Sequence, residues 1–385
     1  MTEPATTPSS PLQTDILIVG AGPVGMALHL ALAAGGQSSL LIDRRAPGRH
    51  PDPRALALSH GARELLEQVG AWPTKAATAI ETIHVSQKNG FGRTIIDRND
   101  YRLPALGYVV RYQDVAAALH ARLAPEAVLH ETEIVDIAPG DEQIVVSVRH
   151  QGQPLSITTR LLVHADGTPG EGLAVKVSDY EQHAVVCEVT PTPGHQHRAW
   201  ERFTPDGPLA LLPLGDQYSI VFTLPPDKAD AVMAMDDDAF TAALQAQFGH
   251  RLRLSKPGQR SRFPLALRMR DHIAKGREIW IGNTAQTLHP VSGQGFNLGL
   301  RDAWQLADTL LAEGLSADSL ARYAKKRRLD REGGAFFTDK IVRIFSNDLP
   351  PLRFARGLGL AALDLFPPAR HFVAKRMIWG ARAWP

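Results

Sequence analysis

Residues 15–20, Asp-Ile-Leu-Ile-Val-Gly, form a short apolar run of the kind that makes a buried parallel strand. Pro23–Ala34 reads as a helix, and Gly35-Gly36 ends it. A second apolar run at residues 39–43 completes a strand–helix–strand unit, so the chain opens as an α/β fold. Further on, residues 59–69 predict a helix stopped by Gly70. Residues 108–111 predict a short strand, and residues 114–123 a helix capped by Asp114.

Between 128 and 163 the pattern changes to alternation. Residues 131–137, 144–148 and 155–162 predict antiparallel strands that lead into Ala165-Asp166-Gly167. Residues 178–270 mix strands with one helix near 237–248 and are assigned to a second, sheet-rich domain. The first domain resumes with an apolar strand at 278–282, a glycine-rich turn and a helix over 300–311. The C-terminal part is helical, interrupted at Pro350-Pro351 and Pro367-Pro368. The expected organisation is a loose tail over 1–14, a discontinuous cofactor domain over 15–177 and 271–345, an interleaved and mostly antiparallel substrate domain over 178–270, and a helical region over 346–385.

Composition narrows the function. A net charge of +2 gives no argument for nucleic acid. Cys187 is the only cysteine, which excludes an intrachain disulfide and a cysteine-rich metal site; it lies in an apolar run and reads as an inert core residue. No metal site is expected. The N-terminal stretch lacks the basic-then-apolar pattern of a signal peptide, and no uncharged apolar run reaches spanning length. The expectation is a cytoplasmic protein, soluble or peripheral at the inner face of the membrane. Local charge supports the second option: residues 351–385 carry six Lys/Arg and one Asp among many apolar residues.

Two glycine-rich segments carry the chemistry. Gly20-Ala-Gly22-Pro23-Val24-Gly25 lies between a strand and a helix. Its first glycine permits the tight turn, its second lets a pyrophosphate approach the backbone, and its third lets helix and strand pack closely. Asp43 stands 18 residues beyond Gly25, at a strand end, where a carboxylate accepts hydrogen bonds from a ribose. This fingerprint does not separate FAD from NAD. Far downstream, Gly282-Asn283-Thr-Ala-Gln286-Thr-Leu-His289-Pro290-Val-Ser-Gly293-Gln294-Gly295-Phe-Asn297 again joins a strand to a helix. Backbone N–H groups at such a junction suit a phosphate or an electron-rich ring. Two such sites in one chain suggest one long cofactor held at both ends.

Other candidates are weaker. Arg44, Arg45, Arg49 and Arg54 follow Asp43 and can neutralise pyrophosphate, the alternative being a solvated basic loop. Arg111 and Gln113 lie where a strand meets a helix; for Arg111 an ordinary salt bridge is the alternative. His164 and His289 have no partner at metal or triad spacing and read as structural. No hydrolase or nucleotidase motif is present.

The order of the Gly20 fingerprint, Ala165-Asp166-Gly167 and the distal segment resembles the flavoprotein aromatic hydroxylases of the p-hydroxybenzoate hydroxylase fold, over nearly the whole chain past the tail. Within that fold it resembles the ubiquinone-biosynthesis hydroxylases, through Tyr180-Glu-Gln-His-Ala-Val-Val186, Phe345-Ser-Asn, and Arg356-Gly-Leu-Gly-Leu-Ala-Ala-Leu-Asp364 with Pro367-Pro368. The family commonly reads Gly-Asp-Ala-Ala-His in the distal motif. The variant here, Gly282-Asn-Thr-Ala-Gln286, is similar to the 2-polyprenyl-6-methoxyphenol hydroxylases. The middle motif departs from the family, with Gly170 and Leu173 where Ser and Arg are usual.

The resemblance implies a single-component FAD monooxygenase. NAD(P)H docks transiently to reduce the flavin, O2 reacts with it, and a C4a-hydroperoxide transfers oxygen to a polyprenyl phenol. It implies that Gly20, Gly22 and Gly25 hold the pyrophosphate, with Pro23 and Val24 between them, and that Asp43 holds the ribose. Arg44, Arg54, Arg111 and Gln113 would lie along the dinucleotide, and Asp166 beside the flavin. Gly282 and Asn283 would meet the ribityl chain, and Pro290, Gly293, Gln294, Gly295 and Asn297 would line the ring. No catalytic acid or base is identified. A membrane surface or a biosynthetic complex is the implied partner. A flavin-free NAD(P)-dependent dehydrogenase and a non-catalytic assembly subunit remain alternatives at this point.

Overall fold

The computed structural model describes residues 11–48, 52–168, 174–345 and 350–380. Its helices are α1 (Pro23–Ala34), α2 (His60–Gln68), α3 (Tyr112–His120), α4 (Pro226–Ala234), α5 (Asp237–Phe248), α6 (Gln294–Glu313), α7 (Ala317–Phe345), α8 (Pro350–Leu365) and α9 (Pro367–Trp379).

Leu12–Val19 is the middle strand of the first sheet. It pairs in parallel with Leu40–Ile42 on one side and with Gln153–His164 on the other. The strand begins three residues before the expected boundary, because Leu12, Gln13 and Thr14 find register partners in Ile157, Thr158 and Thr159. Gln153–His164 is also paired antiparallel with Ile144–His150, so the alternating segment joins the first sheet. The main core lies between this sheet and α1 and α6, around Ile16, Leu28, Leu300 and Trp304.

The second sheet has nine strands and is assembled from distant parts of the chain. Its order runs Gln286–Thr287, Ser261–Arg270, Val175–Thr192, Gln217–Leu224, Gly207–Leu214, Arg198–Thr204, Thr82–Gln87 and Arg93–Asp97, with Arg253–Ser255 paired beside Val175–Thr192. Thr82–Gln87 and Arg93–Asp97 thus lie in this sheet, although the sequence reading grouped them with the cofactor domain. One face is sealed by α4 and α5 over Val185, Leu209, Leu211, Ile220 and Phe222. A small antiparallel sheet of Ala55–Ser59, Gly107–Arg111 and Thr78–Ile80 sits between the two large ones.

Two helix starts differ from expectation. α3 begins at Tyr112, and Asp114 lies in its first turn instead of capping it; the cap position is Arg111, which makes no side-chain capping bond. An acid in the first turn still favours the helix through its dipole. α6 begins at Gln294, within the glycine-rich segment, six residues before the expected start. The prolines at 350 and 367 open α8 and α9, in keeping with proline's fixed φ and missing donor.

Candidate functional site

The three glycines of the first fingerprint have different surroundings. A Cβ on Gly20, where φ is +103°, would meet Ala165 O at 2.7 Å, so the chain there crosses the next strand closely. A Cβ on Gly25 would meet Gly20 O at 2.1 Å. At Gly22 the nearest atom is Tyr112 Oη, 3.8 Å away, so that backbone faces open space. The space is a cavity of about 320 Å³ lined by Gly22, Pro23, Met26, Asp43, Arg45 and Tyr112 among others. Gln113 lines it as well, and so do His120 and His130, which the sequence reading did not single out.

Asp43 is 6% exposed at the cavity's edge. It accepts from Ala21 N at 2.9 Å, from Arg45 N and Nε at 2.9 Å each, and from Arg45 Nη2 at 2.7 Å. Burial by itself raises its pKa; the Arg45 hydrogen bonds and charge, with the Ala21 N–H, outweigh burial and hold the carboxyl below its ordinary value. Arg45 is therefore the arginine of this loop that engages the acid. Arg44 is exposed, and Arg49 lies outside the described residues. Arg54 pairs with Asp52 and has its guanidinium 5.5 Å from the Tyr112 ring centre. Arg111 makes the salt bridge that was its alternative reading: its Nη2 contacts both oxygens of Glu188, at 2.8 and 2.7 Å, tying the small sheet to the nine-stranded one.

The distal segment folds against the first fingerprint. Val24 is wedged between them: its methyl groups lie 3.2 Å from the Cβ position of Gly282 and 2.9 Å from that of Gly299. Ile281 N donates to His164 O at 3.0 Å and Thr284 Oγ1 to the same oxygen at 2.7 Å, which fixes the segment beside Ala165-Asp166-Gly167. Asp166 is exposed there; Gly170 and Leu173 lie outside the described residues. Asn283 is exposed, and its side-chain amide has no hydrogen bond to the described residues. His289 is 1% exposed; its Nδ1 accepts from Val291 N at 3.1 Å, and its ring meets the Tyr180 ring edge-on. Burial lowers its pKa to about 3, so it is neutral.

Pro290 opens a short turn that Gly293 closes with φ +59°, its Cβ position 3.1 Å from Ala57 Cβ. A Cβ on Gly295 would meet nothing within 4 Å. Gln294 donates to Met377 O of α9 at 3.3 Å. Asn297 differs from its neighbours. Its Nδ2 donates to Ala57 O at 2.9 Å and Gly293 O at 2.7 Å, and its Oδ1 accepts from Ser59 N at 2.9 Å. Both amide hydrogens are used, so this side chain supports the cradle from behind instead of lining it.

Beneath the cradle lies a buried polar network. Asp302, fully buried, accepts from Gly282 N at 3.0 Å, Gln286 Nε2 at 2.6 Å and Arg327 Nε at 2.7 Å. Arg327 also reaches Asp330 at 2.7 Å, and Arg301 reaches Asp330 at 2.9 Å. Burial alone would lower Arg327's pKa; the two carboxylates reverse that and hold it above its ordinary value. Gly22, with only Tyr112 Oη near its Cβ position, and Gly295, with nothing near it, thus offer open backbone, the cavity adjoins Gly22, and the exposed Asn283 amide makes no hydrogen bond to the described residues. This set fits an extended dinucleotide. Among the described residues no cluster of ligands could hold a metal ion.

Comparison with known proteins agrees with that geometry. A family model described as "FAD binding domain" matches residues 13–332. The chain is 31% identical to 3-demethoxyubiquinol 3-hydroxylase of Escherichia coli, over 91% of this chain and 95% of that protein. It is 30% identical to ubiquinone hydroxylase UbiL of Rhodospirillum rubrum, over 96% of this chain and 91% of that one. Among solved structures, p-nitrophenol 4-monooxygenase PnpA from Pseudomonas putida superposes with a TM-score of 0.78 at 17% identity, covering 96% of this chain and 100% of that one. At that identity the superposition establishes the fold.

Proposed function

The chain belongs to the FAD-dependent monooxygenase family that includes the ubiquinone hydroxylases, and on that premise we propose that it hydroxylates the ring of a polyprenyl phenol in ubiquinone biosynthesis, using NAD(P)H and O2. The observation that carries the reading is Val24, packed against both Gly282 and Gly299: it joins into one site two glycine cradles some 260 residues apart, as one long cofactor requires. A flavin-free dehydrogenase would leave the distal cradle without a purpose.

When bound, FAD supplies the oxygen-activating chemistry. The chain's own residues bind, orient and shield. Gly22 lets the pyrophosphate approach the backbone, and Asp43 with Arg45 borders the adenosine end. Asn283 offers its free amide to the ribityl chain, and the Pro290–Gly293 turn with Gly295 lines the ring. The first turn of α6, which opens at Gln294, would favour negative charge on a ring held beside it. Gln113 borders the cavity. Arg54 and Arg111 are engaged by Asp52 and Glu188, so each stands as a neutralised ion pair instead of a free charge. Residues 15–177 with 271–345 serve the cofactor, residues 178–270 the substrate, and the hairpin of Thr82–Gln87 and Arg93–Asp97 serves the substrate side through its sheet.

A polyprenyl phenol has a tail nearly insoluble in water, and we assign the C-terminal helices as the surface that meets the membrane. No helix among the described residues is long and apolar enough to cross a bilayer. α8 instead exposes Leu352, Phe354, Leu358 and Leu365, with Phe366 beyond its end, and α9 exposes Phe372 beside Lys375. The basic residues contribute less than their number implies. Arg356 is buried and caps α7 at Ile344 O and Phe345 O, and Arg370 is turned to Asp364 and Asp100. Trp384 lies outside the described residues. Docking at this surface is thus apolar insertion in the first place.

Deleting the gene and identifying the accumulated quinone precursor by mass tests the substrate. Accumulation of a prenylated phenol lacking one ring hydroxyl is the expected result; an unchanged quinone pool would refute it.

A further inference from the structure

The face of the nine-stranded sheet away from α4 and α5 is covered by α8 at its Arg93–Asp97 end, where Thr94 Oγ1 donates to Leu360 O at 2.7 Å, and its middle holds a row of residues that neither glycine cradle accounts for. Strand register sets Glu201 opposite Ala210, Ala210 opposite Val221, and Val221 opposite Val186, so the four share one line across the middle of the sheet. All four keep partial solvent exposure. Their neighbours on the other face, Leu209, Leu211, Ile220, Phe222 and Val185, are at most 2% exposed. An accessible row at the centre of a large sheet, with packed rows on both sides of it, leaves room for a cleft above it.

Two walls bound the cleft. On one side the next row packs on the small sheet: Ala199 joins Ile80 and Val109 in one apolar cluster, and Glu188 is held by Arg111. That small sheet supports the distal cradle, through Ala57 against Gly293. On the other side Phe203, two residues beyond Glu201, stacks on Phe345 at the end of α7 with ring centres 3.9 Å apart. The cleft floor is therefore apolar or small except at Glu201. That carboxylate is unusual: its Oε1 is buried with no hydrogen-bond partner, and no ion pair reaches it among the described residues. Of the charged groups on the surrounding elements, Arg111 is engaged by Glu188, Arg343 by Asp339 and Arg356 by the carbonyls at the end of α7. A buried acceptor left unpaired costs about 1–3 kcal/mol, and such groups in folded proteins call for an explanation.

Building on the substrate class proposed above, we propose that the row Glu201–Ala210–Val221–Val186 is the floor of the aromatic-ring site and that Glu201 is the catalytic base that takes the proton of the ring hydroxyl. The hydroxyl O–H bond breaks, a carboxyl O–H bond forms, and the electron pair stays on the ring oxygen. The resulting phenolate pushes electron density into the ring, which is what attack by an electrophilic oxygen needs. The environment suits the task, since burial pushes Glu201 up to about 8, into the range where a carboxylate and a phenol exchange a proton.

The test uses the FAD-loaded enzyme with oxidised flavin and no NAD(P)H, so that nothing turns over. 2-Geranylphenol is added, and its ionisation is followed by ultraviolet difference spectroscopy from pH 6 to 11. The expected result is that the bound phenol ionises at a higher pH in wild type than in Glu201→Gln, because the ionised carboxylate beside the hydroxyl opposes a second negative charge, that Glu201→Asp retains part of the difference, and that Glu201→Gln keeps normal FAD content and circular dichroism. With NAD(P)H present, Glu201→Gln should lower kcat about 10²–10⁴-fold and remove the limb of the profile near pH 8. Equal ionisation in wild type and Glu201→Gln overturns the assignment and leaves the substrate reading standing. Failure of wild type to bind the phenol at all overturns the substrate reading, and this assignment with it.

Discussion

Gln286 and Asp302 are joined by a 2.6 Å hydrogen bond, and the Asp302 oxygen that accepts it also accepts from Gly282 N. The other end of the Gln286 amide accepts from Arg331 Nε at 2.7 Å. One neutral side chain thus separates a buried carboxylate from a buried guanidinium and pins the segment that carries Asn283. Asp302→Ala leaves Arg327 with Asp330 alone and removes the acceptor of Gly282 N and Gln286 Nε2, and losing one member of a buried pair costs about 3–5 kcal/mol. Gln286→Leu leaves partners unsatisfied on both sides and should cost about 1–3 kcal/mol. Urea unfolding of both variants checks the ranking, and Asp302→Ala should be the less stable.

Gly22→Val and Gly25→Ala should fail in different ways. The first has room in the protein and should give a folded protein without bound flavin. The second forces a methyl group to within 2.1 Å of Gly20 O and should cost stability even before cofactor is added. Absorbance of the purified proteins and their melting temperatures separate the two effects. Normal flavin content in Gly22→Val would show that the phosphates lie elsewhere.

Gly295→Leu should disturb the flavin ring while leaving the adenosine end intact, since the Cβ position there is open. The flavin absorption bands should shift or the affinity should fall. An unchanged spectrum with unchanged affinity would move the ring away from this turn.

His289 makes stability pH-dependent. Its folded pKa is lowered to about 3 by burial, against an ordinary 6.5. Between these values the unfolded chain binds a proton that the folded one does not. Stability from this group is therefore full above pH 6.5 and is lost as pH falls, by at most ~1.4 kcal/mol per pH unit. His289→Asn should flatten the fall in melting temperature between pH 6.5 and 5. An equal slope in both proteins would place the titration at another group.

Docking of the C-terminal helices should resist salt. The exposed face of α8 is apolar, so Phe354→Asp, Leu358→Asp and Leu365→Asp together should abolish co-sedimentation with anionic liposomes. Reversing Lys375 and Arg376 to Glu should weaken it by about 1 kcal/mol per charge. Retained sedimentation of the triple variant would favour a partner protein on this face.

Local signals in the sequence foretell local structure well. Pro23 and Gly35 bound α1 at the positions where it begins and ends. Ser59 caps α2 by accepting from Ala62 N at 3.2 Å, and Gly70 follows with φ +66°. What depends on distant pairing is not legible in this way. Thr82–Gln87 and Arg93–Asp97 flank an Asn89-Gly90 pair, a hairpin signal, yet nothing local says that the hairpin pairs with Arg198–Thr204. The same holds in the site. The glycines announce themselves by spacing, and Arg111 by its place at a strand end. Asn297 looks like its cradle neighbours until its bonds to Ala57 and Ser59 are seen. Glu201 is one acid among many until register places it on the open face.

The composite second sheet sets a timetable for synthesis. Arg93–Asp97 leaves the ribosome about a hundred residues before Arg198–Thr204, its route into the rest of the sheet. At roughly 5–20 residues per second the hairpin waits about 5–20 seconds with its apolar face and a free strand edge uncovered. Val175–Thr192, the 18-residue strand that joins the halves of the sheet, arrives in the same late interval. An uncovered edge is open to aggregation while it waits, and a chain truncated before residue 198 would keep it open. A chimera that exchanged only residues 178–270 with a relative would separate the hairpin from the strand it was born to meet.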